Sequence, residues 1–262
     1  MNDIGNELKE WQTWLSSAAG QYLIDWEQKQ LDALVGDLFG FHALQLGFPQ
    51  VEGLRANRMP HQWLALPSEN ACASIATDFR ALPFAEQSLD LIILPHTLEI
   101  YPDPHATLRE VERVLVPEGR VIICGLNPLS LWGARVTRER FYARLGSRKT
   151  FMPIQSEFIG PLRMKDWLTL LGFEVERGGF GLYKPSFESQ GWLSRLNWME
   201  LAGKRWWPIL GSAYILTAVK RVKGMRLLGA SWKKPLHRSA LLTQPSATSK
   251  HTAEKKQDEH LF

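Results

Sequence analysis

LPFAEQSLDLIILPHTLEIYPDPHATLREVERVLVPEGRVIICGLN, residues 82–127, decides how this chain folds. Apolar Leu89 to Leu94 read as a buried strand with Asp90 near its start. Asp103 and Pro104 open a helix that runs to about Leu115. Pro117, Glu118 and Gly119 break the chain, and Val121 to Cys124 make a second strand. Two apolar runs separated by an amphipathic helix are parallel neighbours joined by a right-handed crossover.

The same run resembles the second half of class I S-adenosylmethionine (SAM)-dependent methyltransferases of the small-molecule, type 11-like group. That family carries an "LPF-x-x-x-S-x-D" run, an Asp-Pro loop, an amphipathic helix and a "Leu-x-Pro-x-Gly-Arg" turn, in that order. Here these are Leu82 to Asp90, Asp103-Pro104 and Leu115 to Arg120. The resemblance implies an α/β fold with a Rossmann-like, seven-stranded class I methyltransferase sheet. Five strands are parallel, a terminal antiparallel hairpin closes the sheet, and helices cover both faces. Over roughly residues 20–222 the chain also resembles a bacterial group of methyltransferase-like proteins in which "LQLG" replaces the usual first motif.

Working outward, His42 to Gly47 and Gln62 to Leu66 are expected as the first two strands, and Ala71 to Thr77 as the third, leading to Asp78. Arg163 to Leu171 reads as a helix stopped by Gly172. A sixth strand starts at Phe173, and Ala213 to Lys220 makes the seventh. Before the sheet, residues 6–35 show helical spacing through Leu8, Trp11, Leu15 and Ala18, then Leu23, Trp26, Leu31 and Leu34, with a break expected at Gly20. The domain expectation is therefore an N-terminal helical segment (1–39) that partly covers a cofactor cleft, and a methyltransferase-like domain (40–222). That domain carries a basic insertion at 132–161 and a Trp-rich one at 185–210, and a basic tail (233–262) follows. The tail has six Lys/Arg against three Asp/Glu and too few large apolar groups to fold.

Composition is that of an ordinary soluble protein: 45% hydrophobic and 22% charged residues in 262. Cys72 and Cys124 sit in apolar runs and do not suggest a disulfide framework, so a cytoplasmic setting is expected. No apolar run is long enough to span a bilayer, and no signal segment is apparent. Much of the basic balance lies in the tail, so specific nucleic-acid binding is not expected. Trp192, Trp198, Trp206 and Trp207 with Lys204 and Arg205 leave a membrane-surface contact as an alternative to a substrate-shaping or self-packing insertion.

A SAM site built on this fold needs a glycine turn after strand one, an acid ending strand two, an acid after strand three and backbone after strand four. The family's first motif is similar to "Leu-Asp-Leu-Gly-x-Gly-x-Gly", whereas this chain reads Leu44-Gln45-Leu46-Gly47-Phe48-Pro49-Gln50-Val51. Gly47 remains, Pro49 fixes its φ and lacks an N–H, and Gln45 replaces the acid. At the end of strand two only Glu69 is near enough to stand in for the ribose acid. Asp78 and Phe79 match the adenine corner, unless Asp78 merely caps its turn. Pro95, His96 and Glu99 follow strand four, and His96 and Glu99 are the candidate catalytic groups. No metal site is assigned, and Asn127-Pro128 lacks the context of an amino-methyltransferase signature.

The expected function is a SAM-dependent methyltransferase acting on a small molecule. The alternative is a non-catalytic protein that kept the fold and serves as a binding or regulatory partner. An NAD-dependent oxidoreductase would need a G-x-G-x-x-G turn that is absent. The enzyme reading requires that the cleft admit an adenosyl sulfonium, and the Phe48–Val51 segment is the part of the chain able to close it.

Overall fold

A computed structural model describes residues 10–68, 72–144, 151–152, 158–185 and 197–221, and residues 1–223 belong to one compact unit. Leu8, Glu69, Arg148, Lys149, Trp192 and the tail fall outside the described residues. Among the described residues there are seven strands: β1 His42–Leu46, β2 His61–Leu66, β3 Ile75–Ala76, β4 Leu89–Pro95, β5 Leu115–Leu126, β6 Phe173–Gly181 and β7 Ala213–Lys220. Their order is β3-β2-β1-β4-β5-β7-β6. The first five run parallel, and β7 lies antiparallel between β5 and β6. That is the class I methyltransferase sheet expected from the sequence.

Helices α1 (10–15), α2 Ala18–Val35, α3 Thr97–Ile100, α4 Pro104–Val114, α5 Leu131–Arg144, α6 Pro161–Leu170 and α7 Asn197–Trp206 surround it. One face packs Leu44, Leu46, Ile92, Leu94, Val121 and Ile123 against Leu108 and Val111 of α4 and Leu168 of α6. The opposite face packs Ala43, Leu91, Ile93 and Ile122 against Leu31 and Val35 of α2. A third cluster caps the carboxyl edge of the sheet with Trp11, Trp14, Leu23, Phe48, Ile100, Trp132 and Val136.

Several local expectations are corrected. The third strand is only Ile75–Ala76; Ala71 is undescribed, and the edge is finished by Ser74, whose N–H bonds the Leu64 carbonyl and whose Oγ accepts the Leu64 N–H. β5 begins at Leu115 and continues through Pro117–Gly119, because Glu118 adopts a positive φ (64°) and the register against β4 shifts there. No helix is present in residues 47–60 or 77–88. The β1–β2 crossover is instead a run of turns sewn to α2. Gln28 exchanges hydrogen bonds with the Glu52 backbone, Asn57 Nδ2 donates to the Val35 carbonyl, and Asp32 pairs with Arg55 at 2.6 Å. Gln28 thus satisfies both backbone groups of Glu52, and Asn57 satisfies a carbonyl at the end of α2.

The break between α1 and α2 falls at Ser17, not Gly20. Ser17 caps α2 by accepting the Gly20 N–H at 3.2 Å. Gly20 is inside the helix because α1 arrives there: a Cβ would lie 2.4 Å from Leu15 Cα and 2.5 Å from the Trp14 carbonyl oxygen. Both neighbours are backbone and cannot rotate away. Gly20→Ala is therefore expected to lower the urea midpoint by the equivalent of about 1–3 kcal/mol, and an unchanged midpoint would show that the α1–α2 turn yields freely.

Candidate active site at the carboxyl edge of β1 and β4

β4 ends at Pro95, which pairs with Cys124 of β5. His96 follows in the left-handed region (φ 50°, ψ 9°), an uncommon conformation for a residue with a side chain. Its N–H is held by the Cys124 carbonyl at 3.0 Å, and the turn it makes starts α3. The ring is driven between two carboxylates. Nδ1 lies 2.9 Å from Glu99 Oε2, and Nε2 lies 2.7 Å from Oε1 of Glu27 on α2. Glu99 Oε1 in turn accepts the Leu126 N–H at 2.7 Å. His96 is 1% and Glu27 0% exposed.

An ionised carboxylate only accepts, so an imidazolium, which donates from both ring nitrogens, satisfies both contacts at once. Burial alone would discharge His96, but the charges and hydrogen bonds of Glu27 and Glu99 overcome it and raise its pKa to about 10. Burial raises the Glu99 carboxyl, against the opposing pull of His96 and the Leu126 N–H. One carboxylate oxygen of this triad, Glu27 Oε2, is buried without a hydrogen-bond partner.

The loop after β1 is built around Gln45. Its Nε2 donates to the carbonyls of Gly47 (3.2 Å), Phe48 (2.9 Å) and Val51 (2.7 Å), and its Oε1 accepts the Gly53 N–H at 2.9 Å. An Asp here could not donate and would face three carbonyl oxygens. The Gln therefore specifies the loop and has no polar capacity left pointing at a ligand. Gly47 (φ 77°) and Phe48 (φ 45°) are both left-handed. The turn sends the Phe48 ring to 5.5 Å from the His96 ring and 5.6 Å from Trp11. Trp11 itself stacks on His96 at 5.8 Å with planes 23° apart. Val51 turns into the core on the α2 face of the sheet. The segment singled out as able to close the cleft does so beside His96: Phe48, 3% exposed, fills the space between the loop and the ring.

The other end of the crevice is different. A Cβ on Gly47 would sit 3.4 Å from Thr97 Oγ1, 3.7 Å from the Phe79 ring and 3.8 Å from the Tyr101 ring. Phe79 and Tyr101 lie 4.5 Å apart, and the Tyr101 hydroxyl is buried without a partner, its pKa pushed up by that burial. Asp78 stands next to Phe79 with its side chain half exposed. It accepts the Arg80 N–H at 2.9 Å and grips the guanidinium at 2.6 Å, which holds its carboxyl below the usual range. The structure thus groups Gly47 with Phe79, and Pro95 and His96 with Glu99. Asp78 is engaged by Arg80, and Gln45 is turned into its own loop. Glu27, Trp11 and Tyr101 were missed. Glu27 had a signal: it interrupts the apolar stripe Leu23, Leu31, Val35 on the buried side of α2.

Residues 50–123 match the family described as "Methyltransferase domain", in its type 11 group. The chain is 33% identical over 220 residues to the uncharacterised protein YafS of Escherichia coli strain K12, covering 82% of this chain and 83% of that one. Over 76 residues it is 30% identical to the demethylmenaquinone methyltransferase of Chlamydia pneumoniae, covering 29% of this chain and 33% of that protein. Over 120 residues it is 30% identical to the ubiquinone biosynthesis O-methyltransferase of Xanthomonas oryzae, covering 43% of this chain and 49% of that protein. A SAM-dependent methyltransferase from Thermotoga maritima superposes with a TM-score of 0.55 at 17% identity, covering 84% of this chain and 97% of that one. One from Archaeoglobus fulgidus gives 0.51 at 16%, covering 75% and 94%. These last two likenesses concern the fold. The chain belongs to the class I SAM-dependent methyltransferase family, type 11 group.

Gly47, the Phe79 and Tyr101 rings, the unpartnered Tyr101 hydroxyl and the half-exposed Asp78 carboxylate are the groups that would hold the adenosine half of such a cofactor, and here Gly47, Phe79 and Tyr101 are packed on one another. Where the methionine half would lie, Phe48 and Trp11 cover His96.

His96 titrates at about 10 in the fold against an ordinary 6.5, so its stabilising contribution is complete below 6.5 and is lost as pH rises toward 10. Urea unfolding of the wild type should weaken across that window. His96→Gln should lack that part of the slope and be about 3–5 kcal/mol less stable at the acidic end. Parallel pH profiles for the two proteins would refute the charged ring.

Proposed function

We propose that this chain transfers the methyl group of SAM to a small-molecule acceptor in the crevice between the carboxyl ends of β1 and β4. The observation that carries the proposal is the Gly47–Phe79–Tyr101 end of that crevice, with the Asp78 carboxylate on its rim. SAM supplies an already activated methyl group, so the protein's work is to hold an acceptor close and aligned. In this reading Asp78 receives the adenine amino group, Phe79 packs the adenine, and the Gly47 backbone allows close approach. Glu69 serves the ribose, Pro95 and His96 form the far wall, and Gln45 acts through the shape of the loop. His96, held as a cation, is no proton acceptor near neutral pH. Oriented by Glu99, it instead fixes Glu27, whose unpartnered Oε2 would meet an acceptor's hydrogen only once Phe48 and Trp11 had moved aside. The relatives named as demethylmenaquinone and ubiquinone-biosynthesis methyltransferases support a small acceptor rather than a nucleic acid. Free Cys72 and Cys124 support a cytoplasmic site of action.

The covering of His96 by Phe48 and Trp11 favours a second reading, a methyltransferase fold that binds a partner and no longer turns over. Calorimetry separates the two. SAM should bind with micromolar-range affinity, about 8 kcal/mol, and Asp78→Ala should weaken it by roughly 1–3 kcal/mol. Absence of heat and of any thermal shift at high protein concentration selects the partner-binding reading. Because a ligand reaching His96 must displace Trp11, Trp11→Ala should bind SAM more tightly than wild type despite lower stability. An equal affinity would place the ligand clear of His96.

A further inference from the structure

A second surface is unusual and does not depend on the crevice. Among its described side chains, α7 is docked through one side. Glu200 accepts the Tyr183 N–H at 3.0 Å and the Tyr22 hydroxyl, and Gly203 lies so close to Tyr183 that a Cβ would meet its ring at 2.2 Å. The opposite side presents Trp198, Arg205 and Trp206, with Trp206 73% exposed. The chain then runs through exposed Trp207, Ile209 and Leu210 to β7. Asn127, at the carboxyl end of β5, ties this segment to the start of α5. Its Nδ2 donates to the Ile209 carbonyl at 2.7 Å, and its Oδ1 accepts the Leu129 N–H at 3.1 Å. Leu129 (68% exposed) and Leu131 stand beside that joint. Along α5 the outward stripe opposite buried Trp132 and Val136 continues with Arg138 and Tyr142.

Charge says what fits this face. Residues 129–144 and 197–210 hold six Lys/Arg and only two acids, Glu139 and Glu200. Both acids have protein partners: Glu139 meets Arg135 at 2.8 Å and the Phe151 N–H, and Glu200 meets Tyr183 and Tyr22. Outward-facing Arg138 and Arg205 are therefore interleaved with Trp, Leu and Ile and carry no acid among them. Indole and guanidinium groups together match the interface of an anionic bilayer, where rings sit at headgroup depth and cations meet phosphates. No helix among the described residues is long and apolar enough to cross a membrane, so contact would be at the surface. We propose that this face, Leu129–Tyr142 with Trp198–Leu210, docks on an anionic phospholipid surface. It lies at the same edge of the sheet as His96.

The test uses the full chain and vesicles of phosphatidylethanolamine with phosphatidylglycerol, against vesicles of phosphatidylcholine alone. The wild type should sediment with the anionic vesicles and much less with the neutral ones. Trp206→Glu/Ile209→Glu should partition roughly tenfold or more weakly with its melting temperature kept, since both side chains are exposed. Arg138→Glu/Arg205→Glu should lose the preference for anionic lipid. Three results overturn the proposal. The wild type does not sediment, the variants sediment as it does, or the wild type is a dimer without lipid that the Trp206/Ile209 variant dissociates.

Discussion

A buried imidazolium held between Glu27 and Glu99 organises the working edge of this molecule. Removing such a cation strands two carboxylates in the core, a far larger penalty than losing a surface ion pair. The triad ties α2 to the adjoining ends of β4 and β5 through side chains. Glu27 brings α2, His96 brings the end of β4, and Glu99 brings α3 and the Leu126 N–H at the end of β5. His96 adopts a left-handed backbone to reach both carboxylates, so the strain and the charge pairing are parts of one arrangement. Trp11 then stacks on the ring and Phe48 packs against it at a tilt, and the aromatic cap over the sheet grows outward from them.

The same arrangement explains the altered first motif. With α2 supplying Leu31, Val35, Gln28 and Asp32, the β1–β2 connection has its face of the sheet already covered and needs no helix of its own. A compact run of turns suffices, and Gln45 is the donor that holds it. Read alone, Gln45 in place of Asp looks like a lost ligand contact. In the fold it is the residue that makes the loop possible, while Gly47 at its start packs beside Thr97, Phe79 and Tyr101. The cost falls at the next residue, where the loop delivers Phe48 onto His96.

Residues 82–127 were legible because their hydrophobic period switches cleanly from strand to helix and back, and Ala213–Lys220 emerged with its limits as expected. Turn-rich segments were less legible. Residues 47–60 and 77–88 carry no sustained period, so nothing in them announces that crossover helices are missing. β3 is short because edge pairing is finished by a serine hydroxyl, which leaves no hydrophobic trace. The site was half legible. His96 and Glu99 were singled out by position after β4, but their meaning depends on Glu27, a partner 69 residues earlier on another element. An acid inside an apolar helical stripe says that a partner exists; only the fold says which one.

The central claim is electrostatic: at a pH where an ordinary histidine is neutral, one ring in this protein stays doubly protonated. Nitrogen-15 NMR of the histidine side chains at about pH 8 tests it directly. The account predicts one imidazole with both ring nitrogens in the N–H range, and loss of that signal in His96→Gln. A spectrum in which every ring shows one protonated and one bare nitrogen would contradict it, and with it the arrangement on which the crevice rests.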